Sequence, residues 1–407
     1  MEYRTDTLAG FLRSWWESCG SRSERVALVV LSLVCVTTIF STALVQTLVV
    51  TLTVVVCSGL VSVGSPVFRR TPLDAPFLVF ILARVVSVFF SRDPAQSLPA
   101  LHLEFFFYIV FFLVTQSAWQ GGAAATWALT TLLLCAGMAA GLIGVLKVLL
   151  FEAPRGLSTT AGPYTLGAYL CPVLALALLL PPRRGTRITE VVRSFGSLVL
   201  CLGIICTLDR LHWVAMTLVL LGAGLLTRRR MSFILLCAVG AAFVLLPQVR
   251  FRVVQASDSG ALLTGRDVLW RGASMLLSSH PIVGFGPRTF TEIFPLPDLL
   301  PIRGVGSWHN DYLQVYMESG LLALVPLLWL IAATYRQGWR LLHSAAVPEE
   351  VRTLALALLA ALSVTFLFGG MRDTLVGIEF RVLLGLFALL ASSIGSGGNP
   401  VPVELHP

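Results

Sequence analysis

Charge is what this 407-residue chain has least of: charged residues are 12% of it and hydrophobic ones 56%. A soluble domain carries about a quarter charged residues. The shortfall excludes the two or three soluble domains that the length alone would suggest. Lysine is nearly absent, Lys147 being the only one among the 29 basic residues. Zinc chemistry has no foothold, because no CxxC pair or Cys/His cluster has the spacing it needs. The cysteines lie within or beside apolar runs, where small buried thiols are the plain reading. HEXXH, GxSxG and Walker patterns are missing, and the acidic residues outside the apolar runs are too scattered for a metal cage. Neither a repeat of roughly 20–50 residues nor a low-complexity segment is present. No cleavable signal peptide is expected, since the first apolar run is long and leads into another span.

What the chain does have is apolar runs of membrane-spanning length. Its net charge of +8 comes almost entirely from arginine. In a soluble protein that balance would suggest nucleic acid. Here no nucleic-acid partner is expected, because basic residues gather in the cytoplasmic loops of membrane proteins. Arg4, Arg13, Arg22 and Arg25 mark the start as cytoplasmic. Arg69 and Arg70, then Arg183, Arg184, Arg187 and Arg193, then Arg228–Arg230, and finally Arg336 and Arg340 mark returns to that side. The alternation predicts an all-α integral membrane protein of about twelve helices with both termini cytoplasmic. The first run, 26–63, holds two helices with a turn near 41–46. Further spans are expected at 73–90, 103–119, 123–151, 164–180, 194–208, up to 227, and 231–247, then at 312–335, 353–368 and 378–394. Three regions follow: helices over 1–247, one larger non-cytoplasmic loop over 248–311, and the last helices with a cytoplasmic tail over 312–407.

That loop breaks the charge rule. It carries Arg250, Arg252, Arg266, Arg271, Arg288 and Arg303 against Asp258, Asp267, Glu292 and Asp298. Two readings stand: solvated charge on a small domain, or an anion site whose guanidinium forks grip phosphate oxygens. Arg210, in LDRLHW, sits at the lip of two helices beside Asp209 and His212, and is expected to face a cavity. Arg84, in ILARVV, lies inside an apolar span, where an arginine faces the bundle interior or snorkels to an interface. The loop closes on GSWHNDYLQVYMESG, which puts His309 and Asn310 at a helix start with Glu318 and Gly320 further on. His309 is either structural or a general base. PIVGFGPRTF has no strand before it and is no dinucleotide loop. Pro281, Gly284 and Gly286 read as a turn that aims Arg288.

The run His309, Asn310, Leu313, Glu318, Gly320 resembles the signature of the O-antigen ligase and polymerase superfamily. GRDVLWRGASMLLSSHPIVGFGPRTF resembles that family's upstream block of arginine, tryptophan, proline and a G-x-G turn. GPYTLGAYL, from Gly162, resembles a weaker family segment. Asp209-Arg210-Leu211 stands where the family has Ser-Arg-Gly. The resemblance implies transfer of a glycan from undecaprenyl diphosphate to an acceptor hydroxyl on the periplasmic face of a bacterial inner membrane. That transfer would be inverting, with no metal and no cofactor. By the same resemblance Arg210 and Arg266 hold the diphosphate and His309 is the base or orienting group. Asp373 takes the place of a functional acid, and Asn310 joins it in substrate binding. Arg288 is added on local chemistry as a phosphate or acceptor contact.

Within that family the acceptor decides the member. One large loop, and no outer arginine followed by glycine eleven positions on, lean toward a ligase that accepts the lipid A–core oligosaccharide. A polymerase and a pilin-type transferase are the alternatives. A flippase for the same lipids is the reading from another class; against it, the charge gathers in one loop and not at the membrane midplane. A purely structural membrane protein leaves the arginine–histidine cluster unexplained.

Overall fold

The computed structural model describes residues 16–17, 19, 21–62, 69–159, 162–180, 187–228, 230–258, 265–300, 305–371 and 377–395. Among them the regular structure is helical, with no strand. The first half runs α1 (Arg22–Thr37), α2 (Thr42–Ser62), α3 (Asp74–Phe89), α4 (Pro94–Ser117), α5 (Gly122–Leu150), α6 (Pro163–Leu179) and α7 (Arg187–Cys206). It continues with α8 (Arg210–Thr227), α9 (Arg230–Leu245), α10 (Pro247–Asp258), α11 (Arg266–Leu276) and the single turn α12 (Phe290–Ile293). The chain closes with α13 (Asp311–His343), α14 (Glu349–Gly369) and α15 (Ile378–Gly395).

Among the described residues five helices are long and apolar enough to cross a membrane: Thr42–Gly59, Trp119–Leu150, Arg210–Thr227, Asp311–His343 and Glu349–Gly369. The pair Arg230–Leu245 and Pro247–Val254, bent by 77°, makes a sixth if it counts as one span. The apolar runs mark helix positions well but helix starts poorly, because a start is set by polar caps. The first run breaks before Thr42, not near 41–46, since the Ser41 hydroxyl accepts the Leu44 N–H at the start of α2. Helix α4 begins at Pro94, well before the expected 103. The Asp93 carboxylate accepts the Ala95 and Gln96 N–H groups, and Pro94 suits a first helical position. Helix α7 likewise starts at Arg187 rather than 194, and α13 runs on to His343 rather than 335.

Two inner helices are almost wholly apolar, apart from Glu379 and Arg381 in the first turn of α15 and serines near its end. α6 is buried along nearly its whole length from Leu166, and α15 is buried from Phe380 to Ala391. Such helices belong in a core. Around them α14 packs on α6, α15 on α4, and α5 on α7. The α5–α7 contact is close because Gly141 and Gly203 meet; a Cβ on Gly203 would lie 2.9 Å from the Gly141 Cα. Small residues in this pattern let helix backbones approach in a membrane, where no hydrophobic force draws helices together. The rim presents large apolar side chains outward, among them Val50, Val54, Leu149, Leu225 and Leu328. A surface that apolar suits lipid and not water.

A second, smaller core lies between the segment after α10 and the first turns of α13. Leu269, Ala273, Phe285, Phe290, Ile293, Phe294, Trp308 and Met317 form it. Trp308 is fully buried and meets Phe290 and Phe294 edge-on at 4.9 and 5.7 Å. This core carries the site described next.

Candidate active site

The site is built on a break in α13. Gly320 has φ 60° and ψ −159°, which interrupts the helix. A break frees backbone groups that cannot be left bare in an apolar interior. Segment 281–286 satisfies them. Phe285 N–H donates to Met317 O at 2.8 Å and Gly286 N–H to Glu318 O at 2.9 Å. In return Leu321 N–H donates to Pro281 O at 2.8 Å and Leu322 N–H to Ile282 O at 2.9 Å. The G-x-G turn is therefore a splint across the break. Glycine is required on both sides: a Cβ on Gly320 would lie 2.2 Å from Ile282 O, and one on Gly284 would lie 2.4 Å from the Glu318 carbonyl carbon. Gly320→Ala is expected to cost more than about 1–3 kcal/mol, because strain at a glycine-only conformation adds to the clash. Thermal melting in detergent checks this, with Gly306→Ala as the unchanged control, since nothing lies within 4 Å of its Cβ position.

Glu318 fastens the splint from the side. One oxygen takes the Arg84 guanidinium at 2.6 Å, while the other accepts the Arg288 N–H at 2.7 Å and the Gln314 amide. Ser319 accepts a second Arg84 N–H at 2.9 Å. Arg84 and Glu318 are both buried. Arg84 thus faces the interior, which decides between the two orientations open in the sequence. Its charge is spent on Glu318, so it is a support for the site.

From Gln314 the network reaches the histidine. Gln314 Oε1 accepts the Trp308 N–H at 2.8 Å. His309 follows with φ 48°, a left-handed conformation uncommon outside glycine. Its Nδ1 lies 3.2 Å from the Ser307 hydroxyl, and the ring is half-buried. Asn310 Oδ1 then accepts the Leu313 N–H at 3.0 Å and caps α13. His309 is thereby wedged between a buried tryptophan and a helix cap. Backbone strain held this firmly is what functional positions accumulate.

Arg288 also has a left-handed φ, 61°, with its N–H on Glu318 and its side chain exposed. Arg266 opens α11, whose Leu269 and Ala273 pack in the small core with Trp308. A cation at a helix N-terminus opposes the helix dipole. Arg266, Arg288, His309 and Asn310 therefore ride on one packed unit. The turn before α4 joins it, with Arg92 N–H on Phe285 O at 2.9 Å and Ser97 Oγ on Pro287 O at 2.7 Å.

Arg210 belongs to a second polar group. It is half-buried in the first turn of α8, behind the cap made by Asp209 Oδ1 on the Leu211 N–H at 3.0 Å. Asp209 Oδ2 faces buried His212 Nδ1 at 3.5 Å. Gly167 makes that possible, since a Cβ there would lie 2.1 Å from His212 Nδ1. So GPYTLGAYL is the seat of His212. Asp373 lies outside the described residues, as does Arg303. Sequence reasoning missed Glu318 as the hub, and it missed Arg155. Arg155 Nη2 donates to Leu208 O at 2.9 Å, two residues before Arg210.

Chemically, the packed unit offers two cations and an imidazole, and Arg210 a further cation. Among the described residues no cluster of three or more His, Cys, Asp or Glu could hold a metal. Anion binding and proton transfer are what these groups do best. No curated protein matches the chain. The family model described as O-antigen ligase matches residues 195–330, roughly a third of the chain, and that stretch contains Arg210, Arg266, Arg288, His309, Asn310, Glu318 and Gly320.

Proposed function

We propose that the chain is a glycosyltransferase of the bacterial inner membrane, with about twelve spans and its active site facing the periplasm. It transfers O-antigen glycan from undecaprenyl diphosphate to a hydroxyl of the lipid A–core oligosaccharide. The observation that carries the reading is His309, strained beside the α13 cap on the packed unit that bears Arg266 and Arg288, all inside the segment that matches the O-antigen ligase family.

In the reaction the acceptor oxygen attacks the anomeric carbon of the donor sugar. The bond from that carbon to the diphosphate oxygen breaks, and the diphosphate leaves with the electron pair. His309 takes the hydroxyl proton. Attack from the face opposite the leaving group inverts the anomeric centre. Arg210 and Arg266 meet the charge that grows on the diphosphate, in the place of a divalent cation. Each charged hydrogen bond contributes about 1.5–3 kcal/mol, and bonds that tighten as the charge develops lower the barrier. Arg288 and Asn310 hold substrate at the rim, Asn310 through the amide hydrogens that its capping oxygen leaves over. Asp373 is the acid of the last loop.

Arg266→Ala is expected to lower the transfer rate by about 10²–10³, the usual cost of one lost donor to a developing anion. The protein should stay folded and inserted, because Leu269 and Ala273 hold α11 in the small core. The acceptor is tested by offering purified protein a lipid-linked glycan with either rough lipopolysaccharide or a second lipid-linked glycan. Product on lipopolysaccharide is expected. Product only on the second lipid-linked glycan would make the chain a polymerase; flipping without a new glycosidic bond would make it a transporter.

A further inference from the structure

His212 has no task in the reaction just described. Its side chain is buried, 3% exposed, in the first turn of α8. An imidazole at that depth needs polar surroundings to match it. α6 makes room for the ring at Gly167, and the Cys171 thiol on the same helix donates to His212 O at 3.7 Å. Asp209 Oδ2 lies 3.5 Å from His212 Nδ1, an ion-pair distance. A small cavity of about 20 Å³ is shared by His212, Cys171, Thr365 and Glu379, so α14 and α15 close the seat. That is space for one water, with polar groups enough to hold it. Among the described residues, the titratable groups that meet the ring or its cavity are Asp209 on α8, Cys171 on α6 and Glu379 on α15. α14 faces the cavity with Val364, Thr365 and Phe368, which carry no charge. Arg210 is the charged neighbour within the same turn of α8.

Asp209 does two things here. Its Oδ1 accepts the Leu211 N–H and so fixes the turn that begins with Arg210. Its Oδ2 faces His212. A carboxylate next to a substrate-binding arginine competes with the substrate for it. Unless a second cation holds that carboxylate, the guanidinium turns to it and away from a bound anion. A protonated His212 is such a cation. Asp209 beside the ring and Glu379 on the cavity wall favour the charged form against the cost of burial. We propose that His212 is a positioning residue, charged at neutral pH, that occupies Asp209 and leaves Arg210 to the anionic substrate. The proposal rests on the reading of Arg210 as a diphosphate contact. It gives two histidines opposite requirements: His309 must be neutral to accept a proton, and His212 must be charged. Transfer therefore rises with pH as His309 loses its proton and falls again as His212 loses its own.

The test follows full-length protein in detergent over a series of pH values. Two readouts are taken: binding of farnesyl diphosphate, and transfer from lipid-linked glycan to rough lipopolysaccharide. In the wild type both should weaken on the alkaline side. His212→Asn should bind farnesyl diphosphate about tenfold more weakly at neutral pH, the size of one lost charged contact, and its alkaline fall should vanish. A ring that only packs would lower the melting temperature and leave the shape of the profile alone. Glu379→Gln keeps the ring and removes one carboxylate, so it should move the alkaline fall to lower pH. It decides the matter if His212→Asn fails to fold. An alkaline fall that is missing in the wild type, survives in His212→Asn or stays in place in Glu379→Gln overturns the proposal. Binding that shows the fall and loses it in His212→Asn, in a protein that makes no glycosidic product, would keep His212 in this role and end the transferase reading. Product formed with a pH profile that His212→Asn leaves unchanged would do the reverse.

Discussion

Replacing Glu318 with glutamine is expected to cost about 3–5 kcal/mol of stability, the typical penalty for removing one partner of a buried ion pair. Three donors converge on this side chain: the Arg84 guanidinium, the Arg288 N–H and the Gln314 amide. A carboxylate satisfies all three with two oxygens. A glutamine has one oxygen, and its NH₂ must face another donor. Whichever way it turns, either Arg84 loses its countercharge in the interior or the loop at Arg288 loses its anchor. The loss should show as a lower melting temperature in detergent. It should also slow transfer, because the splint that aligns Arg288 with the start of α13 loosens. Adding Arg84→Met to Glu318→Gln should recover part of the stability, since the buried cation is then gone. A Glu318→Gln protein that melts with the wild type would remove Glu318 as the hub.

Loss of the His309 imidazole should act on chemistry instead. A general base contributes about 10²–10⁴ in rate, and a fall of that size is expected in His309→Ala and His309→Asn alike. The two variants separate chemistry from backbone strain. Asparagine tolerates the left-handed conformation that His309 adopts at φ 48°, whereas alanine pays about 1–2 kcal/mol there. His309→Asn should therefore melt near the wild type and still be inactive. His309→Ala should be inactive and somewhat less stable. Normal transfer by His309→Asn would take the base role away from this residue.

The helical class was legible because long apolar runs state it directly. The starts of α2 and α4 were not, because Ser41 and Asp93 act through local backbone bonds that hydropathy does not register. Arg266, His309 and Asn310 were singled out by resemblance to a motif and Arg288 by local chemistry; Arg288, His309 and Asn310 carry unusual backbone or capping geometry. What joins them was hidden. Arg84 meets a carboxylate 234 residues away, so no local pattern could choose between interior and interface. Gly284 and Gly320 looked like a turn and a signature letter, yet Gly284 is crowded by the Glu318–Ser319 backbone and Gly320 by the Ile282–Val283 backbone. Gly167 gave no sign that it seats His212, a contact between two helices that only packing reveals.

The central claim is covalent, and one measurement tests it most directly. Purified protein in detergent, with a chelator present, is given labelled lipid-linked glycan and rough lipopolysaccharide. New glycosidic product and released lipid diphosphate are counted together. The account predicts one lipid diphosphate freed for each glycan joined to lipopolysaccharide, undiminished by the chelator. Lipid diphosphate and glycan that stay joined, with no new linkage formed, would contradict it.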